Sequence, residues 1–391
     1  MATTRRQLDP AANPYAPGAG IRPPLLAGRD RELADADRLL TRAGLGYADQ
    51  PRLIVGVRGV GKTVLLLAVR DRARRAGAIA VHAQARGTEG FVQSLLRDLE
   101  FELRRVRGAR GRVERALSVL AAVAVTVGAV KVAAQPRRGH GDSGDLAVDL
   151  LELFRAVGDV ASAKQKSFVL TVDELQEMPD DQLSALLVAL QRAAGESLPL
   201  ATVVAGLPGV EAHAAAVESF AERMFALWRL GPLDDTAAAR AVIEPALDAG
   251  GVEWEQAAVG RVISASGGYP FYLQHFAAAV WDTAVETPIR RRDADLGLQR
   301  AQRELADSIV RSRIVRLSAR ERRYVEALAR LGPGSHGSGE VAAAIGVATS
   351  QVASARQRLI QAGVVYNPAY GEVAFTLPMF DLYVLRLLED P

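Results

Sequence analysis

Residues 56–63 read Gly-Val-Arg-Gly-Val-Gly-Lys-Thr, which fits the spacing Gly-x-x-x-x-Gly-Lys-Thr. That spacing suits one task, the holding of a polyphosphate. Glycines at Gly56, Gly59 and Gly61 let the backbone curl so that successive N–H groups, including those of Arg58, Val60 and Val64, point inward at phosphate oxygens. A helix opening at the end of the run adds its positive dipole end. Lys62 reaches the β- and γ-phosphates, and the Thr63 hydroxyl ligates Mg2+. A second carboxylate is needed for the metal. Asp173 ends the apolar run Phe168-Val169-Leu170-Thr171-Val172, and Glu174 follows it. The pair therefore reads as a metal ligand, Asp173, beside a general base, Glu174, that polarises an attacking water. Gln176, two residues on, either helps hold that water or is a surface glutamine.

The elements that must position these groups are legible as alternating runs. Leu53-Ile54-Val55 is a short buried strand leading into the phosphate segment, and Val64 to Arg75 continues as a helix stopped at Gly77. Further strands are expected at 79–83, 168–172, 200–205 and 225–230, separated by helices at 91–106, 146–157 and 181–194. Short continuous apolar strands alternating with helices imply a parallel sheet covered on both faces. Residues 1–26, rich in Pro, Ala and Gly, are expected to be a flexible arm. In the apolar stretch 116–130 valines fall mostly on alternate positions. It reads as a buried hairpin around Gly128, with a membrane anchor as the alternative, although the run is short of the ~20 residues a span needs. The loop 135–144 reads as mobile.

Bulk composition narrows the classes. A chain of 391 residues is expected to hold two or three domains, and a charge of +3 on near-balanced acids and bases is no nucleic-acid signature by itself. Cysteine is absent, which removes disulfides, thiolate metal sites and thiol nucleophiles. A cytoplasmic setting fits, with no membrane association expected.

The motifs resemble the AAA+ and STAND branches of P-loop ATPases, within the archaeal-ATPase and origin-recognition-like clade. The resemblance extends over most of the chain from about Arg22. Gly28-Arg29-Asp30-Arg31-Glu32-Leu33 is similar to that clade's entry helix near the adenine. Segment 58–63 and Asp173-Glu174-Leu175-Gln176 are similar to its nucleotide motifs. Gly267-Gly268-Tyr269-Pro270-Phe271-Tyr272-Leu273 resembles its lid motif, which implies an adenine contact from Pro270. The resemblance implies ATP as ligand, Mg2+ as its metal and ATP hydrolysis, which the absence of a clear sensor and finger would make slow. Two departures stand out. Gly206-Leu207-Pro208-Gly209 carries no polar sensor, Thr202 being the nearest polar residue. Arg223 sits where an arginine finger could lie, but a surface ion-pair arginine is an equal reading.

After Pro232 strand-like runs give way to Ala-rich helices up to about Val315, and from Leu317 three short helices precede a hairpin signal. Ser318 suits an N-cap, Gly346 a helix stop, and Thr349 or Ser350 the cap of the third helix. Asn367-Pro368-Ala369-Tyr370-Gly371 is the hairpin tip. Three helices and a hairpin follow the winged helix-turn-helix plan. The expected organisation is an arm (1–26), an α/β P-loop core with parallel sheet (27–232), a helical lid (233–315) and a winged helix-turn-helix (316–391). The third helix would present Gln351, Ser354, Gln357 and Arg358 to double-stranded DNA. Its charge is thin, since only Arg356 and Arg358 are basic on it. The alternative is a STAND-like switch whose winged helix binds a protein partner; self-assembly of the chain is a separate partner expectation.

Overall fold

The computed structural model describes residues 7–18, 20–85, 90–126, 143–307 and 312–389. The chain divides into two compact units. One comprises Asp30–Gly56 and Lys62–Arg229; the other comprises the residues up to Arg29, Val57–Gly61, and Leu230 onward.

The first of these is a five-stranded parallel sheet of order β2-β3-β4-β1-β5. Its strands are β1 (Arg52–Val55), β2 (Ile79–Gln84), β3 (Phe168–Asp173), β4 (Leu200–Gly206) and β5 (Ala226–Arg229). Strands β1 and β3 are buried along their whole length, as expected of a sheet covered on both sides. Helices α1 (Asp30–Gly44), α2 (Lys62–Arg75), α3 (Gly90–Arg105), α4 (Arg110–Thr126), α5 (Leu146–Ser162), α6 (Asp180–Gly195) and α7 (Val210–Val217) surround it. Because all strands run the same way, their carboxyl ends share one edge, where ligands of such sheets bind. At the far end of β1 an ion pair ties the layers. Arg52 Nε lies 2.8 Å from Asp35 Oδ2, which also accepts from Trp228 Nε1 of β5 at 3.0 Å. The hydrogen bond from Arg52 holds the Asp35 carboxyl below the usual carboxylate range. On β2, burial lowers the pKa of His82, whose Nδ1 is 3.1 Å from Thr171 Oγ1. The Thr171 hydroxyl donates to Val81 O, so His82 Nδ1 must carry the proton.

The apolar stretch corrects the expected hairpin. Residues 110–126 form α4, while 127–134 lie outside the described residues. Ala116, Val119, Leu120, Val123 and Ala124, spaced i, i+3, i+4, i+7, i+8, are all buried, and α4 packs on α3 and α5. Helical periodicity plus packing outweighs the strand preference of valine. No helix among the described residues is long and apolar enough to cross a membrane. The 135–144 loop is described only at its last two residues.

The other unit holds α8 (Asp235–Asp248), α9 (Gln256–Ser266), α10 (Pro270–Thr283) and α11 (Arg291–Leu305). A short turn α12 (Ser312–Ile314) precedes α13 (Ala319–Leu331), α14 (Ser338–Ile345) and α15 (Thr349–Gln361). Strands β6 (His336–Gly337), β7 (Val365–Tyr366) and β8 (Glu372–Phe375) pair antiparallel in the order β6-β8-β7, and α16 (Phe380–Glu389) closes the chain against α13. Ser318 caps α13 in a reciprocal box with Glu321, and Gly346 ends α14 at φ +79°. The third cap differs from expectation: Ala348 holds the N-cap position of α15, without a side-chain cap. The division expected at 315/316 is no break in packing. One hydrophobic cluster runs from Val242 and Phe276 to Tyr324 and Phe380, and Tyr272 Oη donates to Pro378 O at 2.7 Å.

The flexible arm is also corrected for the described residues 7–18. Gln7 bridges Glu286, Trp281 Nε1 donates to Asp9 O at 3.1 Å, and Asn13 Nδ2 donates to Asp282 Oδ1 at 2.7 Å. Tyr15 is buried edge-on to Trp254 and Trp281, and its hydroxyl donates to Val242 O. Composition read as disorder misses this because one aromatic and one leucine, Leu8, anchor the segment. Truncating Tyr15 to alanine is expected to lower stability by about 3 kcal/mol. Denaturant unfolding followed by Trp254 and Trp281 fluorescence checks this; an unchanged midpoint would return the arm to the loose state.

Candidate nucleotide-binding site

The phosphate segment is covalently continuous, but residues 57–61 pack with one unit, whereas Gly56, Lys62 and Thr63 belong to the other. In the sheet unit, β1 ends at Val55 and Gly56 N–H donates to Gly206 O at 3.4 Å. Lys62 opens α2, is buried, and donates from Nζ to Gly56 O at 2.8 Å. Thr63 Oγ1 donates to Asp173 Oδ2 at 2.5 Å, across 110 residues of sequence. Asp173 is the last residue of β3 and is 3% exposed. Its other oxygen, Oδ1, accepts the Glu174 N–H at 2.8 Å. Val64 follows in α2, partly buried.

Glu174 adopts the left-handed conformation, φ +56° and ψ +43°. Such a backbone costs a non-glycine residue about 1–3 kcal/mol and tends to occur at functional sites. Its carboxylate accepts from Gln176 Nε2, and Gln176 Oε1 accepts the Leu207 N–H at 3.0 Å. Thr202 is buried within β4, paired in register with Leu170, and lies away from the strand's carboxyl end. Arg223 ends the 3-10 turn Ser219–Arg223; it is exposed, and its guanidinium enters no ion pair among the described residues.

In the other unit, three consecutive loop residues are gripped through their main chain. Arg58 N–H donates to Thr376 O at 2.8 Å, Phe271 N–H donates to Gly59 O at 3.1 Å, and Arg29 Nη2 donates to Val60 O at 3.1 Å. Arg29 is buried and also reaches Gly231 O at 2.9 Å. Gly28, at φ +65°, lies so close to Ala237 and Leu233 that a Cβ would meet the Ala237 methyl at 2.8 Å. Pro270 is the first residue of α10, so it opens the helix whose next N–H meets Gly59. Arg58, expected to offer its amide to the phosphates, spends it on Thr376 instead. Its guanidinium lies 3.1 Å from where a Cβ on Gly363 would stand. The contacts of Phe271 and Thr376 carry no sequence signal, being main-chain bonds.

The residues present fit a phosphate group. Gly59 and Gly61 sit at φ +83° and +94°, conformations that favour glycine. The N–H groups of Gly59, Val60 and Gly61 make no hydrogen bond among the described residues, which leaves three successive donors for an anion. Thr63 and Asp173 suit magnesium, which keeps several waters and takes one or two protein oxygens. On α15, Gln351, Ser354, Gln357 and Arg358 are all exposed while Val352, Ala355 and Leu359 are buried. Arg358 lies 3.9 Å from Glu321, which offsets its charge.

Replacing Lys62 with alanine is expected to weaken ATP binding by roughly two orders of magnitude, the scale of losing a buried charge partner. A fluorescent-nucleotide titration checks it, and wild-type affinity in that variant would remove Lys62 from the site.

Residues 25–204 match the AAA ATPase domain family, and residues 307–384 match a family described as a domain of unknown function (DUF8462). No curated protein matches the chain. Among solved structures, a Walker-type ATPase of Pyrococcus abyssi aligns at 14% identity and TM-score 0.58, over 92% of this chain and 96% of that one. The ORC2 protein of Aeropyrum pernix, solved as ADPNP–ADP complexes, aligns at 14% identity and TM-score 0.55, over 95% and 97%. Residues 25–204 are therefore similar to the AAA ATPase domain family, and the chain shares its fold with these solved ATPase structures, in line with the resemblance carried by the motifs.

Proposed function

We propose that the protein binds and slowly hydrolyses ATP with magnesium, and that its C-terminal module is a winged helix through which nucleotide state governs contact with duplex DNA. The observation that carries the enzymatic part is the 2.5 Å contact between Thr63 Oγ1 and Asp173 Oδ2. It supports Thr63 and Asp173 as the pair that would hold the metal. Bound there, magnesium would neutralise charge on the β- and γ-phosphates. The free amides of 59–61 would take phosphate oxygens, and Lys62 would turn from Gly56 O to the terminal phosphates. Glu174 would take the proton from the attacking water. Arg223, exposed and outside any ion pair among the described residues, suits a finger supplied to a neighbouring copy. Gly28, Arg29 and Pro270 would border the adenine.

The switch reading rests on the grip of the loop. Arg58, Gly59 and Val60 bond to Thr376, Phe271 and Arg29 in turn. A loop that reshapes around phosphate must strain or release these bonds, and Thr376 belongs to the C-terminal module. Coupling of this kind is reciprocal, so what the module binds also alters nucleotide affinity. For DNA, the exposed face of α15 offers Gln and Arg chemistry. Arg316, Arg320, Arg322 and Arg330 nearby are exposed and in no ion pair among the described residues. The second reading, a protein partner, is favoured by the fully exposed Tyr370 at the hairpin tip and by Leu382 on α16.

Glu174→Gln is expected to retain ATP binding and lose turnover by about 100-fold or more. Single-turnover assays check it, and normal hydrolysis would exclude Glu174 as the base. Duplex binding is expected to weaken steeply with salt. Four arginines on phosphates give a log–log slope near ~−3.6, or roughly 100-fold between 50 and 200 mM. Anisotropy titrations with and without ATP measure this, and an absence of salt-dependent binding selects the protein partner.

A further inference from the structure

The main chain of Glu174 is fixed at both ends. Its N–H is committed to Asp173 Oδ1 at 2.8 Å, and its carbonyl accepts the Glu177 N–H at 2.8 Å. Buried Leu175 anchors the 3-10 turn that follows. With the residue held at φ +56°, only side-chain torsions remain to place the carboxylate. One partner settles them among the described residues, the side-chain amide of Gln176 on Oε2. The orientation of that amide is itself determined. Leu207 N–H can only donate, so the Gln176 oxygen must face it, and the NH2 group must face Glu174. Leu207 is the residue immediately after β4, the strand lying between β1 and β3. Gln176 thus spans from the candidate base to the edge of the neighbouring strand. One carboxylate oxygen is held, and Oε1 has no partner among the described residues and is left to accept a proton.

We propose that Gln176 is a positioning residue for hydrolysis: by bridging Glu174 Oε2 to the Leu207 amide, it aims the base at the attacking water. The inference rests on the reading of Glu174 as general base and deepens it. Gln176 acts through Glu174 and does not itself touch the reacting atoms. Its loss therefore slows the chemical step and spares nucleotide binding.

The experiment measures ATP affinity and kcat for Gln176→Met, Gln176→Glu, Glu174→Gln and the double variant Glu174→Gln/Gln176→Met in the full chain. Gln176→Met removes both bonds at similar volume. Gln176→Glu keeps an acceptor for Leu207 and sets a like charge against Glu174, which guards against a loss caused by disturbing β4. Both are expected to lower kcat about tenfold or more with ATP affinity within about twofold of wild type. Adding Gln176→Met to Glu174→Gln is expected to change nothing further, since residues acting as one unit are non-additive. Wild-type kcat in Gln176→Met, a parallel loss of affinity, or additive loss in the double variant overturns the inference while leaving Glu174 as base. Full turnover in Glu174→Gln overturns both.

Discussion

A single carboxylate organises the candidate site. Asp173 takes the Thr63 hydroxyl on one oxygen and the Glu174 amide on the other, so that it joins the start of α2 to the turn after β3. This meeting depends on sheet topology. Strands β1 and β3 are not neighbours; β4 lies between them, and all three run parallel. Their carboxyl ends therefore open on the same edge, and the groups that leave each strand converge. Burial of β1 and β3 on both faces supplies the driving force, at about 1.5–3 kcal/mol for each fully buried aliphatic side chain. The ion pair of Arg52 and Asp35, with Trp228, fixes the opposite end of β1.

The phosphate loop is held through its own main-chain atoms. Thr376 and Phe271 meet it through main-chain atoms, and Arg29 meets a main-chain carbonyl. Such bonds restrict the loop's path while leaving the amides of 59–61 without a hydrogen bond among the described residues. They also place the loop within the same packing unit as the C-terminal module. There Tyr272 stacks on Phe276 and hydrogen-bonds Pro378, so that α10 and the segment before α16 share one core. A module that shares a core with the loop's own anchor has a physical route for coupling, through packed side chains that admit few intermediate arrangements.

Charge is distributed unevenly along the Arg-rich chain. The run Arg290-Arg291-Arg292 is offset locally: Arg290 lies 3.6 Å from Glu286, Arg291 3.8 Å from Asp295, and Arg292 3.6 Å from Asp293. Exposed pairs of this kind add little stability, yet they cancel the field that a polyanion would feel. Among the described residues Arg316, Arg320, Arg322 and Arg330 enter no ion pair, so a polyanion would meet those charges without a paired acid.

The sequence by itself determined the backbone pattern of residues 56–63 and the alternation of strands and helices. Gly-x-x-x-x-Gly-Lys-Thr allows one kind of backbone curl, and apolar runs of strand length broken by helical periodicity allow one class of sheet. For the same reason Ser318 and Gly346 were legible, since caps act within a few residues. Stretches whose state depends on distant neighbours are not legible from local pattern. The valines of α4 form a helix because α3 and α5 bury them, and Tyr15 orders the arm because Trp254 and Trp281 receive it. Only the tertiary structure decided which atoms meet at the site: Asp173 with Thr63, Gln176 with Leu207, and Thr376 with Arg58. Main-chain partners leave no trace in residue type, and contacts spanning more than a hundred residues are set by how strands are ordered, which no local pattern encodes.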